Sequence, residues 1–325
     1  MTKATCLLIG LGQIGLGYDI NLDRQKYTLS LANAISKNPC FDMIAAIDPS
    51  PIARQTFQAH YHKPAYPGID SIPKSITKVD LIIIATPTKT HYSCIRKVLD
   101  RFNVEMLLCE KPFTSSYIQA KLITDLCADR SVKGFVNYSR RADPVTQKLK
   151  IQINNGLIKL PLQAVCIYSK GLLHSCSHFF DLFSYWLGKH TAISSVIRQE
   201  NNSQGLDMHQ VIVQYHESCV QFIPLSFHSY EHFSIDLYAS NGRLRYDYGG
   251  QYSSWTPLAD IDDVLCRELA TKSIPFDNFQ DNIQAYVLDE VHAAFLGSQT
   301  HLATFEEALN IHDLIAMINR TATDE

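Results

Sequence analysis

Cys6-Leu7-Leu8-Ile9-Gly10-Leu11-Gly12-Gln13-Ile14-Gly15 decides the fold. An apolar run enters a G-x-G-x-x-G turn, and a second apolar run, Met43-Ile44-Ala45-Ala46-Ile47, ends in the acid Asp48. A dinucleotide-binding βαβ unit makes these demands. Gly10 permits the tight turn, Gly12 lets backbone approach a pyrophosphate, and Gly15 lets the following helix pack on the strand. Around Gln13 and Ile14 the helix N-terminus offers unpaired N–H groups and partial positive charge to phosphates. A glycine-rich turn without a ligand is the plainer reading; the preceding strand and the later acid favour the dinucleotide.

The acid bears on which dinucleotide. A carboxylate at Asp48 accepts hydrogen bonds from adenosine ribose hydroxyls and repels a 2′-phosphate, so NAD is favoured over NADP. Arg54, six residues on, is a group that could meet such a phosphate. The separation from Gly15 to Asp48 exceeds the usual spacing of about 20 residues. The excess is assigned to a polar insertion over 17–24, at the mouth of the site, before a helix over 29–36.

Composition narrows the class. With 325 residues, 46% of them apolar, the chain can form two ordinary domains. A formal net charge of −3 and the lack of any basic stretch argue against nucleic acid as a partner. No apolar run approaches the roughly 20 residues that span a bilayer, and Met1-Thr2-Lys3-Ala4 does not read as a secretory signal. Nine scattered cysteines without a C-x-x-C pair suit reduced thiols in a cytoplasmic protein.

Periodicity divides the chain. Residues 81–86, 106–110 and 134–138 read as buried parallel strands, with helices over 91–99 and 115–128 between them. This predicts an α/β Rossmann domain, a doubly wound parallel sheet, over 1–140. Beyond Arg141, strands over 163–168, 211–215, 219–227, 233–239 and 243–248, with an Asn241-Gly242 turn, predict an α+β domain with a mostly antiparallel sheet over 141–325. Helices are expected over 178–187 and 304–319. Such a pairing of domains commonly takes a substrate between them. A large sheet face without helices is usually covered by another subunit, so a homodimer or homotetramer is expected.

Together these motifs resemble the Gfo/Idh/MocA oxidoreductases, the family of glucose–fructose oxidoreductase and inositol dehydrogenase. Four blocks carry the resemblance: the glycines of 10–15; Ala85-Thr86-Pro87-Thr88-Lys89-Thr90-His91; Glu110-Lys111-Pro112; and Asn137-Tyr138-Ser139-Arg140-Arg141 with His174-Ser175-Cys176-Ser177-His178-Phe179-Phe180-Asp181. Glu-Lys-Pro after an apolar strand is the most specific. The resemblance implies a Rossmann domain joined to a large open antiparallel sheet, and oxidation of sugars, cyclitols and their derivatives with NAD(P).

Alcohol oxidation requires a hydride to leave carbon and a proton to leave oxygen. His178 is the candidate base, because imidazole titrates near working pH; the resemblance gives the matching histidine this role. Lys111, at a strand's carboxyl end, can stabilise a developing alkoxide; the resemblance has it bridge substrate and nicotinamide ribose. Glu110 holds Lys111 or bonds the ribose, and a cis Lys111–Pro112 bond suits the turn. Thr86, Pro87 and Thr88 line the nicotinamide side or form a plain turn. His91 is a cofactor contact or merely caps the next helix. Tyr138 ends a strand that faces the substrate, and Arg140 and Arg141 follow it; they are surface charges, or suit a substrate carboxylate or phosphate.

One departure stands out. His174 occupies a position where many relatives carry aspartate or asparagine. If the helix includes it, His174 shares a face with His178 and binds a substrate hydroxyl or serves as base. The pair lacks the H-E-x-x-H glutamate and a third ligand, so no metal is assigned. The expected function is an NAD-preferring dehydrogenase of a sugar, cyclitol or nucleotide sugar. The alternatives are an NAD-dependent redox-cycling glycoside hydrolase and a non-catalytic NAD-binding sensor.

Overall fold

The computed structural model describes residues 3–198, 207–225, 230–259 and 268–324. Its two compact units are Met1–Ala142 with Asp281–His312, and Asp143–Gln280 with Asp313–Glu325.

In the first unit β1 (Ala4–Ile9), α1 (Leu31–Lys37), β2 (Phe41–Ile47), α2 (Pro51–Tyr61), β3 (Ala65–Tyr66), β4 (Lys78–Ile84), α3 (Thr88–Arg101), β5 (Asn103–Cys109), α4 (Tyr117–Asp129) and β6 (Lys133–Val136) follow one another. The strands are parallel, in the order β6-β5-β4-β1-β2-β3. Leu81, Ile82, Ile83 and Ile84 are wholly buried, as a strand covered on both faces requires. Side chains of Ser30, Ser50 and Ser116 cap α1, α2 and α4. The Ser50 cap, with Pro51 in the first turn, is the signal for α2 that the apolar pattern alone does not give.

The second unit contains α5 (Pro144–Asn154), β7 (Gln163–Tyr168), a π-helical turn (Leu172–Cys176), α6 (Ser177–Leu187), β8 (Ala192–Arg198), β9 (His209–Tyr215), β10 (Ser218–Pro224), β11 (Ser234–Ala239), β12 (Gly242–Asp247), β13 (Tyr252–Pro257) and β14 (Ile274–Pro275). Its sheet runs β14-β13-β12-β11-β7-β10-β9-β8, antiparallel at every pair except β7 with β10. The aromatic residues of α6 cover one face: Phe180 and Phe183 meet Phe222, and Trp186 meets Tyr246. Of the strand expected over 219–227, positions 226 and 227 lie outside the described residues.

The chain then returns to the first unit through α7 (Ile283–Phe295), β15 (Ala303–Thr304) and the start of α8 (Phe305–Asp324). β15 pairs antiparallel with β6. Val287, Leu288 and Val291 of α7 share a core with Leu31 and Ile35 of α1 and with Met106, Leu108 and Phe135. A linear division at residue 140 misses this return. The apolar β5 and β6 side chains on the α1 face need a covering helix, and α7 supplies it. No helix among the described residues is long and apolar enough to cross a membrane.

Candidate dinucleotide and catalytic residues

Five parallel strands of the first unit end level with one another. Ile9 pairs with Ile47 and Ile84, Ile84 with Cys109, and Cys109 with Val136. Past those ends, backbone bonds continue: Gly10 N–H to Ile47 O at 2.8 Å, Ala85 to Ile9 at 2.7 Å, Glu110 to Ile84 at 2.8 Å and Asn137 to Cys109 at 2.7 Å. One sheet edge therefore presents Asn137, Glu110 with Lys111, Thr86, Gly10 and Asp48 in that order. Doubly wound sheets bind their ligands at this edge.

The glycines divide the work. Gly10 has φ +100°, and a Cβ there would lie 2.4 Å from Ala85 O; a Cβ on Gly15 would lie 2.1 Å from Gly10 O. Both are packing requirements. Nothing lies within 4 Å of a Cβ on Gly12, so its backbone is open to a ligand. Asp48 accepts from Leu11 N and Ser50 N, each at 2.8 Å, which fixes its carboxylate beside the turn. Arg54 donates to the carbonyls of Asp48 and Pro49 at 2.7 and 2.9 Å, which fastens this loop.

A cavity of about 790 Å³ opens here. Of the expected cofactor contacts, Gly10, Gly12, Gln13, Ile14, Asp48, Thr86 and Pro87 line it. So do Tyr18, Asp70, Thr90, Ser93 and Lys97, which the sequence reading did not single out. Three of these sit at helical spacing on α3 and become legible once that helix is known to start at Thr88. The open Gly12 backbone and the rim carboxylate fit a dinucleotide, whose pyrophosphate and ribose hydroxyls need those groups.

The insertion is a spliced excursion. Leu16 N–H bonds to Gly12 O, closing one helical turn, and then Leu31 N–H bonds to Ile14 O at 2.9 Å and Ala32 N–H to Gly15 O at 3.0 Å. A helical bond spans four residues; these span 17, an excess of 13. Gly15 and Asp48 are 33 apart, also about 13 beyond the usual spacing. Residues 16–30 thus leave the helix and rejoin it in register. Asp19 closes the loop from inside: fully buried, it accepts from Leu29 N, Ser30 N, Ser30 Oγ and Asn33 Nδ2 at 2.6–3.0 Å. Burial pushes its pKa up, yet these hydrogen bonds together hold the carboxyl below the ordinary range.

At the β5 end Glu110 is buried. It accepts from Asn137 Nδ2 at 2.6 Å and from the Lys111 backbone N–H at 3.3 Å. Burial raises its pKa to about 7 against the opposing pull of Asn137 and the Lys111 charge. Glu110 thus engages Asn137 and the Lys111 backbone. Lys111 itself is half-buried, and its peptide bond to Pro112 is cis.

Other expected residues lie elsewhere. His91 does not reach the cavity surface: it is fully buried, with Nε2 2.7 Å from Thr86 O and Nδ1 3.1 Å from the carbonyls of Pro112 and Phe113. It ties the loop after β4 to the turn after β5. Arg141, expected to face a substrate, is buried and paired with Glu307 at 2.8 Å; a chain turning inward after β6 carries it into the core. Tyr138 is buried as well, while Arg140 is half-buried in the turn Ser139–Ala142. Thr88 is half-buried as the first residue of α3 and is not part of the cavity wall.

In the second unit His174 is exposed on the π-helical turn and His178 is half-buried in the first turn of α6. Cys176 N–H reaches back to Gly171 O, five residues away. This wider turn rotates His174 relative to the plain helical register with His178 that spacing predicts. Asp181 is fully buried. Among the described residues no three histidine, cysteine or acidic side chains are grouped to hold a metal.

Residues 4–138 match the Gfo/Idh/MocA model, described as an oxidoreductase family with an NAD-binding Rossmann fold. The chain is 25% identical over 220 residues to scyllo-inositol 2-dehydrogenase (NAD(+)) of Bacillus subtilis (strain 168), covering 62% of this chain and 59% of that protein. It is 27% identical over 139 residues to UDP-N-acetylglucosamine 3-dehydrogenase of Acidithiobacillus ferrooxidans, covering 43% and 40%. An oxidoreductase from Agrobacterium radiobacter, solved with NAD+, L-tartaric acid and magnesium, shares the fold at TM-score 0.76 and 16% identity, over 99% of this chain and 97% of that one. The glycine turn, the level strand ends and the Glu-Lys-Pro block all fall within residues 4–138, the stretch that matches the NAD-binding Rossmann fold of the Gfo/Idh/MocA oxidoreductases.

Proposed function

We propose that the protein is an NAD-preferring dehydrogenase that moves a hydride between the nicotinamide and a secondary alcohol of a sugar, cyclitol or nucleotide sugar. The observation that supports this reading is the level edge of the first sheet, at which Asp48, the glycine turn, Thr86 and Glu110-Lys111 stand at the ends of neighbouring strands. The relatives named as inositol and nucleotide-sugar dehydrogenases support the substrate class.

NAD, when bound, supplies the hydride acceptor. The protein's residues do the rest. Asp48 receives ribose hydroxyls, and Gly12 gives backbone access to the pyrophosphate. Lys111 hydrogen-bonds the reacting oxygen and stabilises alkoxide character in the transition state. His178 takes the hydroxyl proton as general base, and His174 binds a further hydroxyl. Arg140 is the remaining cation for a substrate carboxylate or phosphate.

NAD reduction measured against sugars, inositols and nucleotide sugars, beside His178→Ala and Lys111→Ala, tests this. Turnover lost in both variants with NAD binding retained is expected. NAD bound without net reduction favours redox cycling or a sensor, and no NAD binding overturns the reading.

We also infer a homodimer or homotetramer. α6 covers one face of the second sheet, whereas Val165, Ile167, Ile212 and Ile223 lie half-exposed on the other and Ile197 is 53% exposed. A monomeric mass by light scattering removes this inference.

A further inference from the structure

The excursion over 16–30 has no part in the chemistry above, yet the chain orders it at both ends. Its return arm is clamped by Thr28, whose N–H bonds Asp281 O at 2.8 Å and whose carbonyl accepts from Gln284 N. Lys37 Nζ reaches Thr28 Oγ1 at 2.7 Å, and the Arg24 guanidinium lies 4.5 Å from the Tyr61 ring centre. Asp19 holds the departing arm, as described above. Ordering fifteen residues costs conformational entropy, and what this order secures is the position of the residue just before Asp19.

That residue is Tyr18. Its N–H bonds to Gln13 O at 2.9 Å, fastening it to the glycine turn. Its side chain is 54% exposed, and it lines the cavity beside Gly12, Gln13 and Ile14. An amphipathic ring held at a cavity wall next to a pyrophosphate-binding turn has an apolar face to bury and a hydroxyl to donate. In a Rossmann unit without the splice, the helix continues from this point and no side chain projects from such an excursion.

We propose that residues 16–30 form a retention element for the dinucleotide, with Tyr18 closing over its pyrophosphate side. This inference rests on the dinucleotide reading of the cavity. The splice fixes the base of the excursion, and bound NAD buries the Tyr18 ring and receives a hydrogen bond from its hydroxyl on a phosphate oxygen.

The test is NAD+ and NADH affinity and dissociation rate for the full chain, measured by titration and stopped-flow fluorescence. The variants are Tyr18→Ala, Tyr18→Phe and Asp19→Asn. Tyr18→Ala is expected to raise Kd and the dissociation rate about tenfold, ~1.4 kcal/mol, with an unchanged thermal midpoint because the ring is largely solvated. That size matches burial of roughly 60 Å² of ring. Tyr18→Phe keeps most of the affinity and loses only the hydroxyl's share. Asp19→Asn weakens binding and admits proteolysis within 16–30. NAD binding by Tyr18→Ala as tight as wild type overturns the proposal while leaving the cofactor assignment intact. A wild-type chain that does not bind NAD overturns both.

Discussion

Asn137 donates to the Glu110 carboxylate at 2.6 Å and, from the same Nδ2, to Gln284 Oε1 at 3.0 Å. The two bonds fix the amide with its nitrogen towards Glu110. Gln284 belongs to α7, so a residue from the far end of the chain sets the surroundings of the acid next to Lys111. Thr28 of the excursion accepts from the Gln284 N–H at 3.2 Å, which joins the same network to the glycine turn.

Asn137→Ala should therefore perturb Glu110 without touching a ligand. Loss of one hydrogen bond to a charged acceptor costs roughly 1.5–3 kcal/mol and pushes the Glu110 pKa further up. The acid limb of kcat/KM is expected to move up by about one pH unit, with activity at pH 7 down about fivefold and recovering on the alkaline side. An unshifted limb in the variant would show that Asn137 does not tune Glu110.

Stability against pH follows from the same acid. Its folded-state pKa, about 7, lies above the unfolded value near 4.3. Between those values the folded state binds more protons, so this group's contribution falls as pH rises through the window. Glu110→Gln removes the effect and should unfold later than wild type at pH 8, by on the order of 3 kcal/mol, with the gap closing towards pH 4. His312 acts in the opposite sense: burial lowers its pKa to about 4, so acid below pH 6.5 favours unfolding. Denaturant titrations of Glu110→Gln and His312→Gln beside wild type, from pH 4 to 8, separate the two contributions.

The glycines should come apart experimentally. Gly10→Ala meets Ala85 O at 2.4 Å in a left-handed conformation, so it should lower the thermal midpoint and abolish NAD binding together. Gly12→Ala has free space and should leave the midpoint unchanged while weakening NAD binding at least tenfold. Paired melting curves and NAD titrations check this. Equal losses in both would mean that Gly12 also serves packing.

Arg141 is expected to matter for folding rather than for substrate affinity. Its guanidinium is almost wholly buried, while the Glu307 side chain is 45% exposed, so the pair contributes less than a fully enclosed one. Glu307→Ala, which takes a charge partner from the buried cation, should cost about 2–3 kcal/mol in denaturant unfolding, with KM for the substrate unchanged. A raised KM with normal stability would return Arg141 to the substrate site.

The sequence by itself determined the parallel sheet, the glycine turn, Asp48 and the Glu-Lys-Pro edge. These rest on local patterns: continuous apolar runs for strands buried on both faces, and glycines where backbone must pass close. Only the tertiary structure decided what depends on contacts between distant segments. The 13-residue excess near the first helix was visible, but that residues 31 and 32 rejoin the carbonyls of 14 and 15 was not, since no sequence period marks a helix that resumes. Asp19 read as a polar loop residue because a buried carboxylate depends on donors that only the closed loop supplies. His91 and Arg141 read as site residues because they sit inside site motifs, yet burial takes one to backbone carbonyls and the other to Glu307. α7 (Ile283–Phe295) comes long after the strands it covers, β5 (Asn103–Cys109) and β6 (Lys133–Val136), and an apolar helix face carries no label for the sheet it will meet. Local pattern fixes which elements form and which residues stand at their ends; side-chain burial and long-range pairing fix which of those residues remain available for chemistry.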